Sequence, residues 1–353
     1  MSTVALRIGF VGVGGMGQGA HLRHYATLEG CQVVAVAELR ERTGPAVAQR
    51  YGIPAFYATA ADMLAAEELD AIVACQPFSR HGIILDGLLK ADLPIFIEKP
   101  LASSVQVGRQ ILDQLAKTHS RVMVGYHKRS DPATIRAKAE IDRLKTSGEC
   151  GRLRYVRITM PPGDWVQGGF VGRIDAGDPK PDLLHDPLPG DMDETTRNKY
   201  IAFVNYYSHQ VNLMRHLLGE EYCVIFADPS GVLLVGRSDT GIACAIEMAP
   251  YSTSRSWEES ALVCFDRGYV KLDLPAPLEQ THAGSVEILR DPGDGAQPIL
   301  EKPVLPAIPA MRQQAMSFLA FARGDAPAPC DAAEAIKDLV LAKDYIDLLR
   351  GDE

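Results

Sequence analysis

In the first third of the chain, short apolar runs alternate with segments of helical spacing. Runs at 6–11, 33–37, 71–74, 94–97 and 121–125 read as strands, with a short one near Phe56. Uniformly apolar runs suit strands covered on both faces, and the intervening helices then build a parallel sheet from β-α-β units. Ser103 and Ser104 are placed to cap the helix that ends near His119. Beyond residue 132 the pattern changes. A helix is predicted over 132–148, then strands at 153–160, 222–227, 232–235, 242–248, 260–265, 269–274 and 286–289 with few helices between them. That order implies a largely antiparallel sheet. Helical spacing returns over 200–218 and twice after Pro309, the last helix covering 332–349. The expected fold is α/β: a doubly wound parallel sheet over 1–127, then an α+β domain over 128–353 whose closing helices are free to pack back on the first.

The first strand runs into Gly12-Val13-Gly14-Gly15-Met16-Gly17, with the spacing G-x-G-x-x-G. Gly12 permits a tight turn, Gly14 lets backbone approach a pyrophosphate, and Gly17 lets the following helix pack close to the strand. The helix start offers N–H groups and the positive end of its dipole to phosphate charge. The second apolar run ends on Glu38, about 20 residues beyond the glycines, where an acid holds the ribose diol of a dinucleotide. A carboxylate there favours NAD and repels the 2′-phosphate of NADP. Arg40 and Arg42 can swing to such a phosphate, which keeps NADP open as the alternative.

In sheets of this kind ligands bind beyond the carboxyl ends of the strands. Three later strands end in polar clusters: Cys75-Gln76-Pro77-Phe78-Ser79-Arg80-His81, Glu98-Lys99-Pro100-Leu101, and Tyr126-His127-Lys128-Arg129-Ser130-Asp131-Pro132. Lys99, between Glu98 and Pro100 at this binding edge, is a candidate functional residue rather than a surface lysine. His127, Arg129 and Trp165 are candidates for substrate contact, with a loop histidine, a surface salt bridge and a half-buried aromatic as the competing readings. Residues 160–199, rich in Gly, Pro and Asp, are too long for a simple connector and suit a functional lid or arm, or disorder. Their Asp191-Met192-Asp193-Glu194 run reads as solvated loop acids, and His21 and His24 lack an evident third ligand, so no metal is expected.

Composition narrows the classes further. With 353 residues, 46% of them hydrophobic, the chain can bury two cores. A net charge of −9 with no basic run argues against a nucleic-acid partner. No apolar run reaches membrane-spanning length, and the first strand begins too early for a leader peptide, so a cytoplasmic protein is expected. Seven scattered cysteines without a C-x-x-C pair fit free thiols.

The fingerprint Gly12-x-Gly14-x-x-Gly17, the Glu98-Lys99-Pro100 strand end, the Gly125-Tyr126-His127-Lys128-Arg129 segment and a downstream helix carrying His209 together resemble the Gfo/Idh/MocA family of nicotinamide-dependent oxidoreductases over nearly the whole chain. The resemblance implies a Rossmann domain followed by an open-faced sheet used for substrate and oligomer contacts, hence a homo-oligomer, dimer or tetramer. It implies hydride transfer at a ring carbon of a cyclic polyol, inositol, sugar or aminosugar. Lys99 maps beside the nicotinamide and the substrate hydroxyl, His209 maps onto an acid/base histidine, and Gln76, Pro77 and His81 map onto the turn beside the nicotinamide. The cofactor contacts then comprise Gly12, Gly14, Gly15, Met16, Gly17, Glu38, Arg40, Gln76, Pro77, His81, Glu98 and Lys99. Gln76 and Phe78 replace the Thr and Asn usual in the turn beside the nicotinamide, and Asn205 and Asn212 stand where members that oxidise alcohols carry acids; an amide orients a histidine or a hydroxyl without the charge that stabilises an imidazolium. Tyr206, three residues before His209 on the expected helix, joins Asn205 and His209 as a substrate contact. Two other readings stand beside the dehydrogenase: a redox-neutral enzyme with tightly held NAD acting through a keto-sugar, and a cofactor-binding regulator without catalysis.

Overall fold

The computed structural model describes residues 4–351. They form two compact units. The first comprises the chain up to Tyr126 together with Gly168–Asp193 and Gln314–Leu339, and the second comprises His127–Gln167, Glu194–Gln313 and the residues from Val340 on.

In the first unit, β1 (Leu6–Val11), β2 (Cys31–Ala37), β3 (Ala55–Tyr57), β4 (Ala71–Ala74), β5 (Pro94–Glu98) and β6 (Arg121–Gly125) make one parallel sheet in the order β3-β2-β1-β4-β5-β6. The order reverses between β1 and β4, so the crevice at their carboxyl ends is the place where a doubly wound sheet takes a ligand. After the glycine turn the chain makes a π-helical turn (Gly17–Leu22) that continues into α1 (Arg23–Tyr25). Then come α2 (Thr43–Tyr51), α3 (Ala60–Ala66), α4 (His81–Leu88) and α5 (Val105–Leu115). Ser104 caps α5, its hydroxyl accepting the Val107 N–H at 3.2 Å. The core is aromatic at its centre. Phe10, Tyr25, Phe96 and Phe318 meet edge-on with centroids 5.3 to 6.3 Å apart, which ties the 314–339 segment to the parallel sheet.

The second unit opens with α6 (Pro132–Ser147), capped by Asp131 through the Ala133 N–H at 2.8 Å. Its sheet holds β7 (Leu153–Thr159), β8 (Tyr222–Ala227), β9 (Leu233–Ser238), β10 (Ala243–Glu247), β11 (Ser260–Phe265), β12 (Gly268–Asp273), β13 (Ser285–Arg290) and β14 (Ile299–Glu301). The order is β14-β13-β12-β11-β7-β10-β9-β8, antiparallel except for the β7/β10 pair. The expected helix over 200–218 is two helices, α7 (Glu194–Tyr206) and α8 (Ser208–Leu218), parted at Tyr207. The Tyr207 hydroxyl donates to the Met248 carbonyl at 2.6 Å, a tertiary bond that apolar spacing does not reveal. The closing helices are α9 (Ala310–Arg323) and α10 (Ala332–Arg350).

Strand β14 has no counterpart in the sequence reading, because it is three residues long; it pairs with β13, and its Glu301 is also held by charge. Arg290 of β13 and Arg136 of α6 both reach Glu301. The same two arginines and Arg143 grip buried Glu140 at 2.8 to 3.1 Å. Burial pulls the Glu140 carboxyl up, but the three guanidiniums outweigh it and hold it down to about 2. All seven cysteines are free, Cys223 exposed among them. Among the described residues no helix is long and apolar enough to cross a membrane.

Candidate active site

In the first unit the glycines of the fingerprint answer to different constraints. Gly12 has φ of 92°, and a Cβ there would lie 2.5 Å from the Cys75 carbonyl, so the turn at the β1/β4 switch point requires glycine. A Cβ on Gly17 would collide with the Gly12 carbonyl. At Gly14 the nearest atom is Arg40 Nη2 at 3.9 Å, which leaves the face of the turn open to a ligand's phosphates. The turn and the end of β2 are joined by Glu38, whose carboxylate accepts the Val13 N–H at 2.9 Å. Arg40 forks onto the same carboxylate, Nε to Oε1 at 2.9 Å and Nη2 to Oε2 at 2.8 Å. Burial raises the Glu38 pKa, yet the bonds from Arg40 and Val13 prevail and keep it below the ordinary carboxylate value. Arg42 is engaged elsewhere: its backbone N–H donates to Asp178 at 2.9 Å and its guanidinium to the Gly177 carbonyl.

At the end of β5, buried Glu98 accepts from His21 at 2.5 Å and from the Lys99 N–H at 3.1 Å. Burial again pulls the carboxyl up, while His21 and the charge of Lys99 hold it below its usual range. Glu98 is thus an anchored anion beneath half-buried Lys99, and the Lys99-Pro100 peptide bond is cis. Fully buried His81 fastens the next turn, one ring nitrogen 3.0 Å from the Pro100 carbonyl and the other 3.3 Å from the Gln76 carbonyl. Burial lowers the His81 pKa against the opposing pull of these carbonyls, and the ring lies between the turn after β4 and the turn after β5. Gln76 accepts from Arg80 at 3.1 Å, and Pro77 is exposed.

The segment Gly168–Asp193 lies along this same edge. The Gln18 side chain clasps Ile174 through both its N–H (2.8 Å) and its carbonyl (3.0 Å). Asp178 takes the Thr43 N–H at 2.8 Å, capping the start of α2, and Asp186 takes the Gly82 and Ile83 N–H groups at 2.8 and 3.1 Å, capping α4. These capping contacts assign the segment to the first unit, although it falls within 128–353.

In the second unit a buried 3-10 turn, His127–Ser130, carries the third polar cluster. The His127 ring stands edge-on to His209 of α8, centroids 4.8 Å apart at 72°. Arg129 is committed to α8, its Nε donating to Asn212 Oδ1 at 2.5 Å and Nη2 to the Asn212 carbonyl at 3.3 Å. Asn212, at the position of a family acid, therefore serves as a neutral acceptor for a buried guanidinium. Lys128 pairs with Glu259 in full burial, and Gln210 donates to the same carboxylate at 2.8 Å. A small pocket opens beside this turn, lined by His127, Lys128, Asp131, Leu274, Ala276 and Glu279 among others. Asn205 is exposed on α7, and Tyr206 is half-buried with its ring 5.0 Å from Tyr207. Trp165 is 36% exposed, and its carbonyl accepts the Leu278 N–H at 3.2 Å.

Several of these residues escaped the sequence reading. In the sequence His21 reads only as an improbable metal ligand, whereas it is the partner of Glu98; its four-residue offset from Gly17 on the first helix is the signal available. Lys128, Glu259 and Gln210 come from three distant stretches, and nothing in the order of residues joins them.

Residues 6–126 match the Gfo/Idh/MocA oxidoreductase family, described as having an NAD-binding Rossmann fold. The chain is 28% identical over 169 residues to an inositol 2-dehydrogenase of Rhizobium meliloti (strain 1021); the match takes in 46% of this chain and 49% of that protein, about half its length. It is 25% identical to the rhizopine catabolism protein MocA of Rhizobium meliloti, over 98% of this chain and 96% of that one. Among solved structures, a putative NADPH-dependent oxidoreductase from Desulfitobacterium hafniense DCB-2 superposes with a TM-score of 0.77 at 14% identity, covering 100% of this chain and 97% of the other, a likeness of fold. Over residues 6–126, its Rossmann unit, the chain is thus similar to the Gfo/Idh/MocA oxidoreductases.

Proposed function

We propose that this protein is a nicotinamide-dependent oxidoreductase that moves a hydride to or from a ring carbon of a cyclic polyol, inositol, sugar or aminosugar. The observation that carries the reading is the corner after β5, where the buried His21–Glu98 pair holds the residue before Lys99 at the carboxyl edge of a sheet with an open glycine turn. The inositol 2-dehydrogenase and MocA relatives support the substrate class. Bound nicotinamide supplies the hydride acceptor or donor. In the oxidation direction Lys99, acting from its neutral amine form, takes the hydroxyl proton on Nζ as the carbonyl forms and the hydride leaves for that acceptor, and His209, edge-on to His127, orients a second hydroxyl. Gly12, Gly14, Gly15, Met16 and Gly17 cradle the dinucleotide, and Gln76, Pro77 and His81 shape its nicotinamide end. Tyr206, Asn205 and Trp165 complete the substrate contacts.

NAD is the proposed cofactor, because the Glu38 carboxylate stays charged and accepts from a ribose diol. The Arg40 fork moderates its repulsion of a 2′-phosphate. A homo-oligomer is proposed as well, with half-exposed Ile225 and Phe226 on edge strand β8 as apolar contact surface. The test is a screen of inositols, sugars and aminosugars with NAD+ and NADP+, following reduced-nicotinamide absorbance. Turnover of a cyclic polyol with NAD+ is expected, and no turnover of any carbohydrate with either cofactor overturns the reading.

A further inference from the structure

The segment Gly168–Asp193 is tied down at the ends of three strands that flank the switch point: beside β1 by Gln18, after β2 by Asp178 on α2, and after β4 by Asp186 on α4. Ordering an irregular segment costs conformational entropy at every residue, and a connector between β7 and α7 needs none of these contacts. What they hold in place is the pair Phe170 and Arg173. The Phe170 ring lies over the start of the first helix: a Cβ on Gly19 would come within 2.8 Å of Phe170 Cδ1, and one on Gly15 within 3.7 Å of its ring. Gly19 lies outside the fingerprint, so its lack of a side chain serves this segment. Arg173 Nη1 stands 3.4 Å from the Cβ position of Gly15, on the open turn. Its ion pair with Asp175 is long, 3.7 Å, and both side chains are roughly half exposed, so the guanidinium is available to a stronger anion.

We propose that Gly168–Asp193 is a clasp over the dinucleotide and that Arg173 is a ligand of its pyrophosphate, a cofactor-binding residue outside the glycine fingerprint. The proposal rests on the nicotinamide reading above. The diphosphate carries two negative charges; the helix start meets them with N–H groups and a partial positive charge, and Arg173 adds a full charge with a forked set of donors. The cofactor then leaves only when the contacts at Gln18, Asp178 and Asp186 loosen. Slow release is also what a redox-neutral reaction with retained NAD requires.

The test uses the full-length protein with NADH and with ADP-ribose, which keeps the pyrophosphate and lacks nicotinamide. Arg173→Ala should weaken binding of both about 10- to 100-fold, the range for losing a charge-assisted bond to phosphate, mostly through faster release in a stopped-flow chase. Arg173→Lys should recover part of the loss. Adenosine, which has no phosphate, should bind as it does to the wild type. Phe170→Ala should speed NADH release while the melting temperature of the free protein holds. Binding of both probes within twofold of wild type in Arg173→Ala overturns the clasp and leaves the nicotinamide reading standing, and tighter binding overturns it by making the segment a plug. A wild-type protein that binds neither probe overturns both.

Discussion

Lys99 follows a carboxylate that is already engaged by His21, so its charge and position depend on a pair beneath it rather than on the Glu98-Lys99-Pro100 order alone. Lys99→Met should lower the single-turnover rate about 100-fold or more, the usual scale for a positioned acid/base, while the NAD+ dissociation constant changes severalfold at most. Near-wild-type turnover would remove Lys99 from the chemistry. His209→Ala should cost less than Lys99→Met, since His209 faces the ring of His127 and the acid positions around it hold Asn205 and Asn212. Equal losses in the two variants would show that His209 carries the proton. Glu38→Ser should narrow the NAD+ over NADP+ preference in kcat/KM, because it removes the repelling carboxylate and frees Arg40 for a 2′-phosphate. An unchanged ratio would mean that Glu38 does not read the ribose.

At the scale of elements, the charge cluster joining α6 to β13 and β14 gives a pH-dependent contribution whose sign is determined. Glu140 is held at about 2 against an ordinary 4.5. A group depressed in this way adds stability that is fully present above the ordinary value and is lost as pH falls toward the folded one. Glu140→Gln should therefore destabilise the protein by about 2 kcal/mol in urea unfolding at pH 7, after allowance for half-exposed Arg143, with the gap closing between pH 4.5 and 2. A gap that stayed constant with pH would assign the loss to packing. Elements of this sort explain where reading by periodicity stops. The six strands of the parallel sheet announce themselves by apolar runs because both faces are covered, whereas three-residue β14, paired with β13 and with its Glu301 held by Arg136 and Arg290, carries no such run. The break at Tyr207 is equally silent, since it turns on a bond to Met248 some forty residues away.

For the molecule as a whole, a ligand that binds only the folded state raises its stability by mass action. NAD+ at about 100 times its dissociation constant should raise the unfolding free energy by about 2.7 kcal/mol, and a cyclic polyol without cofactor should raise it less. The measurement is thermal or urea unfolding of the full chain with each ligand alone. Equal stabilisation by the polyol alone would argue against a Rossmann unit organised around the dinucleotide.

Local chemistry was enough to determine the parallel sheet, the glycine turn, Glu38 at the end of the second strand and the polar ends of the fourth, fifth and sixth, because each is a property of neighbouring residues: covered strands are apolar throughout, and a tight turn at Gly12 admits no side chain. Tertiary structure decided which of the polar residues are spent on holding the molecule together. Arg129 reads in the sequence as a substrate contact or a surface salt bridge and is bound to Asn212; His21 reads as a helix histidine without a third metal ligand and is the partner of Glu98. It also decided that Gly168–Asp193 lies along the carboxyl edge of the parallel sheet, since Gln18, Thr43 and Gly82 reach it across more than a hundred residues of chain. Contacts of that separation have no signature in the order of residues, because a carboxylate in a loop reads as solvated until the helix N–H groups it caps are brought beside it.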